Sequence, residues 1–190
     1  MCGKFKQGFD LSYLAALLKL PPVPALPAAQ ATPGRPALAL MSNNRALTAQ
    51  TMRWGFASAP GLGVRPVINA RGETMDSKPM FASAYTHARC ALPVSTYLEG
   101  DIEVAIAGTP LFYLGGLYQQ GADGVAEFTV ITRAPTDDLK AVYERMPLVL
   151  ADKMTLMAWL HDAQQPRDFP AFTCAKTQTP PADARQMALF

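Results

Sequence analysis

In DLSYLAALLKL, Leu11, Leu14, Leu17 and Leu18 recur at the spacing of one helix face. Asp10 stands where an N-cap belongs and Pro21 where a helix must stop, so the pattern predicts a short helix close behind the N-terminus. Six prolines then fall between Pro21 and Pro36. They interrupt both helix and ladder hydrogen bonding, and an irregular connection held by packing is expected. Beyond it the period shortens. ALALM and TAQTMRWGF read as strands, and from Cys90 to Tyr118 apolar and polar positions alternate: Leu92, Val94, Thr96 and Leu98 against Ser95, Tyr97 and Glu99. Gly100-Asp101 turns the chain into IEVAIAG, and PLFYLGGLY and EFTVITRA continue the series. Thr136 is placed to cap a helix through DDLKAVYERM before Pro147, and TLMAWLHDA reads as another helix.

Strands in the middle with helices scattered around them predict an α+β fold: a single domain with a central antiparallel, partly barrel-like β core flanked by helices. With 190 residues the chain can bury a core without staples. Its three cysteines, Cys2, Cys90 and Cys174, are odd in number and form no CxxC, and His87 and His161 fall in no ligand spacing. Neither a disulfide framework nor a metal site is expected, and Cys90 and Cys174 read as buried thiols. No cofactor motif is present. No stretch approaches a membrane span or a signal sequence, so a soluble cytoplasmic protein is expected, nucleoid-associated in a bacterium. A net charge of +2 favours no partner class. The expected division is a domain over 1–175 and a flexible, proline-interrupted tail over 176–190.

The chemistry concentrates at the N-terminus, MCGKF. Removal of Met1 would make Cys2 the first residue, with an α-amine and a thiol on adjacent carbons. Such a 1,2-aminothiol has aldehydes as its natural target; a frayed terminal thiol is the alternative reading. In INARGET, Asn69, Arg71 and Glu73 alternate and would project to one side of an extended segment. In STYLEG, Glu99 shares a strand face with Tyr97, and YERMPLVL places Tyr143 and Arg145 at the end of the expected helix.

Taken in order, MCG, RWGF, NARGET, an aromatic-x-Glu strand and RMPLVL resemble the SOS response-associated peptidase (SRAP) family, from Cys2 to about Trp159. The resemblance implies a sensor of abasic sites in single-stranded DNA that attaches itself covalently to the lesion, together with a peptidase activity that removal of its own Met1 would explain. It implies that the Cys2 amine forms an imine with the ring-opened sugar and that the thiol closes a thiazolidine. Glu99 matches the family's proton-shuttling glutamate, Asn69 the asparagine that holds the amine or sugar, and Arg71 a phosphate-binding residue. A non-covalent binder of damaged single strands and a Cys2 thiol peptidase are the alternatives.

Three departures stand out. Tyr143 replaces a histidine of the family, Lys4 an arginine, and Gly100 a tryptophan. Tyrosine cannot pass protons in both directions at neutral pH, so sugar ring opening or reversal of the cross-link should be slower, a weak lyase at most. DNA is expected in a groove lined by Lys4, Arg53, Arg71 and Arg145, with Trp54 and Phe56 either stacking on bases or packed in the core. The terminal QMALF resembles a sliding-clamp peptide, with Gln186 hydrogen-bonding and Leu189 and Phe190 filling pockets; a strand or a tail folded back on the core is the alternative. A monomer is expected.

Overall fold

The structure is a computed structural model, and it describes residues 2–57, 65–140 and 143–177. In chain order the elements are β1 (Lys4–Lys6), α1 (Leu11–Leu18), β2 (Gln30–Ala31), β3 (Pro36–Asn43), β4 (Ala46–Trp54), β5 (Asn69–Arg71), α2 (Pro79–His87) and β6 (Arg89–Val94). They continue with β7 (Thr96–Glu99), β8 (Ile102–Ile106), β9 (Phe112–Gln120), β10 (Ala126–Arg133), β11 (Met146–Pro147), β12 (Val149–Leu150), α3 (Lys153–Asp162) and β13 (Phe172–Lys176).

Five of the strands close a ring. β10 pairs β4, β4 pairs β3, β3 pairs β6, β6 pairs β9 and β9 returns to β10, all antiparallel except β10 with β4. Closure leaves the ring without an unpaired edge. Both faces of its strands are covered, which is why runs such as ALAL are apolar throughout rather than alternating. Ala37, Ala39, Met52, Trp54, Leu92 and Phe128 belong to one cluster, with Phe5, Tyr97 and Val104 of the second sheet. Leu38, Leu40, Ala91 and Leu117 face the other way, onto Leu14 and Leu18 of α1, Phe81 of α2 and Leu156 and Trp159 of α3. Gly115 and Gly116 permit the tight approach of strands in the ring. A Cβ on Gly116 would lie 2.8 Å from the Thr129 carbonyl oxygen, and one on Gly115 2.7 Å from Leu148 Cδ2.

The second sheet has the order β13-β8-β7-β1-β2. β1 lies antiparallel to β7 with Lys4 opposite Leu98 and Lys6 opposite Thr96, so the chain start runs toward the Glu99 end of β7. The fold therefore bears out the α+β expectation and its barrel-like core. Asp10 caps α1 by accepting from the Ser12 and Tyr13 amides, and Asp152 closes a capping box with Thr155 on α3. The helix expected from Thr136 is not formed among the described residues: residues 137–140 make a hydrogen-bonded turn, and the buried Thr136 hydroxyl caps nothing. Cys90 is buried as expected, whereas Cys174 is exposed on the edge strand β13. No described helix is long and apolar enough to cross a membrane.

Candidate active site

Cys2 is not a frayed terminal residue. It is fully buried at the seam of the two sheets, in the same cluster as Phe5, Tyr97 and Tyr143. Its position follows from β1: three residues of ladder with β7 and a Phe5 ring 4.8 Å from that of Trp54 leave little freedom for the residues just ahead of them. The opposing wall is β5. That strand pairs in parallel with β10, Asn69 facing Val130, and from there the Asn69 Nδ2 donates a 3.0 Å hydrogen bond to the Cys2 carbonyl.

Glu99 ends β7 half-buried, and its carboxylate acts electrostatically on the Cys2 thiol, on Tyr97 and on Tyr143. Burial first, and then the Glu99 charge, push the Cys2 thiol up to about 12. The thiol is consequently protonated at neutral pH while it stays in this environment. Tyr143, also buried, is raised to about 12 chiefly by desolvation, and Tyr97 is raised for the same reason. The Asn69 Oδ1 and the hydroxyls of Tyr97 and Tyr143 are buried without a hydrogen-bond partner among the described residues. Buried polar atoms are normally satisfied, so this group has bonding capacity for something that enters. Gly100, which follows Glu99, has φ +61°, a left-handed turn that glycine makes without strain.

Cys2, Asn69, Glu99 and Tyr143 are thus brought together. Tyr97 and Cys174 went unread as members of the neighbourhood. Tyr97 and Cys174 both lie opposite Val104 of β8, one on each side, and so share a face of the second sheet. The alternation that placed Glu99 also placed Tyr97, but an aromatic in a strand reads as packing.

Several expected DNA contacts are placed otherwise. Trp54 and Phe56 are fully buried, so neither can stack on a base; Trp54 packs on Phe128 and spends its Nε1–H on the Ile68 carbonyl. Arg53 is engaged by Asp123 and Glu127, which neutralise it within the protein. The extended segment ends at Arg71, and the chain turns at Gly72, so Glu73 leaves the Asn69 face. It pairs with Arg145 at 2.7 Å, and Arg145 also donates to the Thr132 carbonyl. Lys4 and Arg71 are exposed and pair with no described carboxylate. Asn69, Arg71, Lys78, Met80, Phe81 and Thr132 are among the residues lining a cavity of about 540 Å³ beside the site. Among the described residues no cluster of histidine, cysteine, aspartate and glutamate could hold a metal ion. Gln186, Leu189 and Phe190 lie outside the described residues.

The sequence model of the family described as SOS response associated peptidase (SRAP) matches residues 1–187. The chain belongs to the SRAP family. Among curated relatives, the abasic site processing protein YoqW of Bacillus subtilis is 27% identical over 145 residues, which cover 67% of this chain and 62% of YoqW. YobE of Bacillus subtilis is 24% identical over 190 residues, covering 89% of this chain and 86% of YobE. YedK of Escherichia coli is 29% identical over 171 residues, covering 80% of this chain and 76% of YedK; both also carry the name abasic site processing protein. A crystal structure of a Bordetella bronchiseptica protein superposes with a TM-score of 0.78 at 19% identity, covering 94% of this chain and all of that one. One from Bacteroides thetaiotaomicron gives 0.70 at 18%, covering 93% and 92%. At such identities the solved structures speak for the fold alone, and this SRAP chain has it.

Proposed function

We propose that this SRAP protein processes abasic sites in single-stranded DNA by capturing the sugar aldehyde covalently on Cys2 once Met1 has been removed. The observation that carries the reading is the Asn69 hydrogen bond to the Cys2 carbonyl, with Glu99 acting electrostatically on the same residue. Names borne by the SRAP relatives supply the substrate class.

The steps balance without redox chemistry. The freed α-amine adds to the open-chain aldehyde, giving a carbinolamine. The Glu99 carboxylate takes a proton from the nitrogen and passes it to the departing hydroxyl, and one water leaves as the imine forms. The thiol then adds to the imine carbon, its proton passing to the nitrogen, and a five-membered thiazolidine closes. A thiol held protonated suits this order, in which the amine attacks first and sulfur last. It suits a thiol peptidase poorly, because that chemistry opens with a thiolate. Asn69 contributes by fixing the Cys2 carbonyl through Nδ2 while its Oδ1 is available to accept from the amine. Of the cations expected in the groove, Lys4 and Arg71 remain unpaired by described carboxylates and are assigned to phosphates beside the lesion.

The test is a denaturing gel of the protein mixed with an oligonucleotide carrying one abasic site. The expected result is a heat-stable shift to the mass of a one-to-one adduct that Cys2→Ser abolishes. Retention on native gels with no denaturation-resistant band would replace this reading with non-covalent binding.

A further inference from the structure

Four arginines are partly buried among the described residues, and three have their charge met within the chain. Arg53 pairs with Asp123 and Glu127, Arg145 with Glu73, and Arg89 gives five hydrogen bonds to carbonyls of residues 85, 86, 159, 160 and 161. Arg133 is different. Its Nη1 donates to the Pro166 carbonyl at 2.7 Å, its guanidinium carbon stands 4.8 Å from the centroid of the Phe169 ring, and its buried Nε has no partner. None of the described carboxylates pairs with it. Charges removed from water are ordinarily paired, and Arg133 has only the field of Glu73, a carboxylate that Arg145 already binds, so a bound anion would complete it. Desolvation pulls its pKa down, and the Glu73 charge offsets this only in part.

Arg133 lines a cavity of about 580 Å³ together with Gly72, Glu73, Gln165, Pro166 and Arg167. Arg167 is exposed and likewise unpaired among the described residues. The carboxylate in this wall, Glu73, is already neutralised by Arg145. Asp137, Asp138 and Asp168 line a second cavity that shares Arg133 and Arg167, so of the two the first presents fewer carboxylates to an anion. One wall of the first cavity follows the candidate active site along the chain. Gly72 and Glu73 follow directly on Asn69 to Arg71, and the Gly72 amide donates to the Thr132 carbonyl at 2.8 Å, tying that wall to the residue before Arg133.

We propose that this cavity is a phosphate subsite for the DNA strand beyond the captured sugar, with Arg133 and Arg167 as the cations and the Gln165 amide as a neutral donor. The proposal rests on the DNA reading above but not on its covalent step. Planar guanidinium groups suit phosphate oxygens, and the contact is independent of sequence.

The experiment is equilibrium binding of the full chain to an intact single-stranded oligonucleotide, which has no aldehyde, across a series of salt concentrations. Each cation that neutralises a phosphate adds about 0.7 to the salt slope for single strands. Arg167→Ala, at an exposed position, is expected to lower the slope by about that amount and weaken binding several-fold, and Arg133→Gln to do the same with an unchanged melting temperature. Oligonucleotides with one neutral methylphosphonate at successive positions locate the contact. One position is expected to weaken wild-type binding and to have no further effect in the Arg133→Gln/Arg167→Ala double variant. Unchanged slopes in both single variants, or a double variant penalised by every methylphosphonate as the wild type is, would overturn the proposal. Protection of Arg133 signals by inorganic phosphate with unchanged DNA slopes would reassign the cavity to a free anion and overturn it equally. Loss of the abasic adduct with the slope effect intact would strike the covalent reading and leave this subsite standing.

Discussion

The Asn69 side-chain amide donates a 3.0 Å hydrogen bond to the main-chain carbonyl of Cys2, 67 residues earlier in the chain. This bond joins the residues just ahead of β1 to a short strand laid against the ring of the other sheet, and it fixes the residue whose amine the proposed chemistry uses. Asn69→Ala removes the donor and leaves a carbonyl at a buried position with one partner fewer. The expected cost to folding is about 1 kcal/mol. Adduct formation with an abasic oligonucleotide should fall at least about tenfold, since orientation of the nucleophile is lost. Single-turnover kinetics on denaturing gels check this, and an unchanged rate would remove Asn69 from the site.

Trp54 separates a packing role from a DNA role. Buried between Phe5 and Phe128, it should destabilise the fold by about 3–5 kcal/mol when cut to alanine. Trp54→Phe, which keeps most of the volume, is expected to bind single-stranded DNA as the wild type does. Thermal melting and DNA titration of the two variants provide the comparison; a Trp54→Phe protein that melts normally yet loses DNA affinity would contradict the core assignment.

The Glu73–Arg145 pair predicts a pH dependence. Its hydrogen bonds hold the Glu73 carboxyl below its usual range, so the folded-state pKa is depressed. The contribution is then fully present above the unfolded carboxylate pKa of about 4.3 and is lost as pH falls through the folded value. Glu73 is half exposed, so about 1 kcal/mol is the upper end of what the pair supplies. Urea denaturation of wild type and Glu73→Gln should differ by that amount at pH 7 and converge in acid. A gap that widens in acid would have the wrong sign.

How much of this was legible follows from particular residues. The leucines of α1 and the alternation from Cys90 to Tyr118 announce their elements because each buries one regular set of positions. Helix α2 escaped notice because PMFASAYTH starts on Pro79 with no capping side chain and buries only Phe81 and Ala84. The three residues of β1 are too few to show a period, yet they deliver Cys2 to Glu99. The segment after Thr136 has helix-like spacing but forms a turn, with Leu139 buried beneath it. Within the site, Cys2 carries its chemistry in the sequence itself, whereas Asn69 and Glu99 stand out only through the family resemblance of NARGET and the aromatic-x-Glu strand. The sequence puts Arg53 in the groove and leaves Trp54 open between base and core, because their partners, Asp123, Glu127 and Phe128, are about 70 residues away and only closure of the ring brings them near.

Tyr143 tests the missing proton carrier. Its raised pKa keeps the phenol neutral across the physiological range, so it can donate a hydrogen bond but supplies no base. Tyr143→His is expected to speed sugar ring opening or release of the cross-link several-fold around neutral pH, with a new dependence near pH 6.5. Pulse-chase of a labelled abasic oligonucleotide against unlabelled competitor reads this; identical formation and release in both proteins would deny Tyr143 a place in proton transfer.

Intact-mass spectrometry of the purified protein, before and after incubation with an abasic single strand, tests the central claim most directly. The account predicts a chain that lacks Met1 and then gains the oligonucleotide mass less one water, in a bond that persists without borohydride and is absent in Cys2→Ser. A chain still carrying Met1, or an adduct that Cys2→Ser forms equally well, would contradict it.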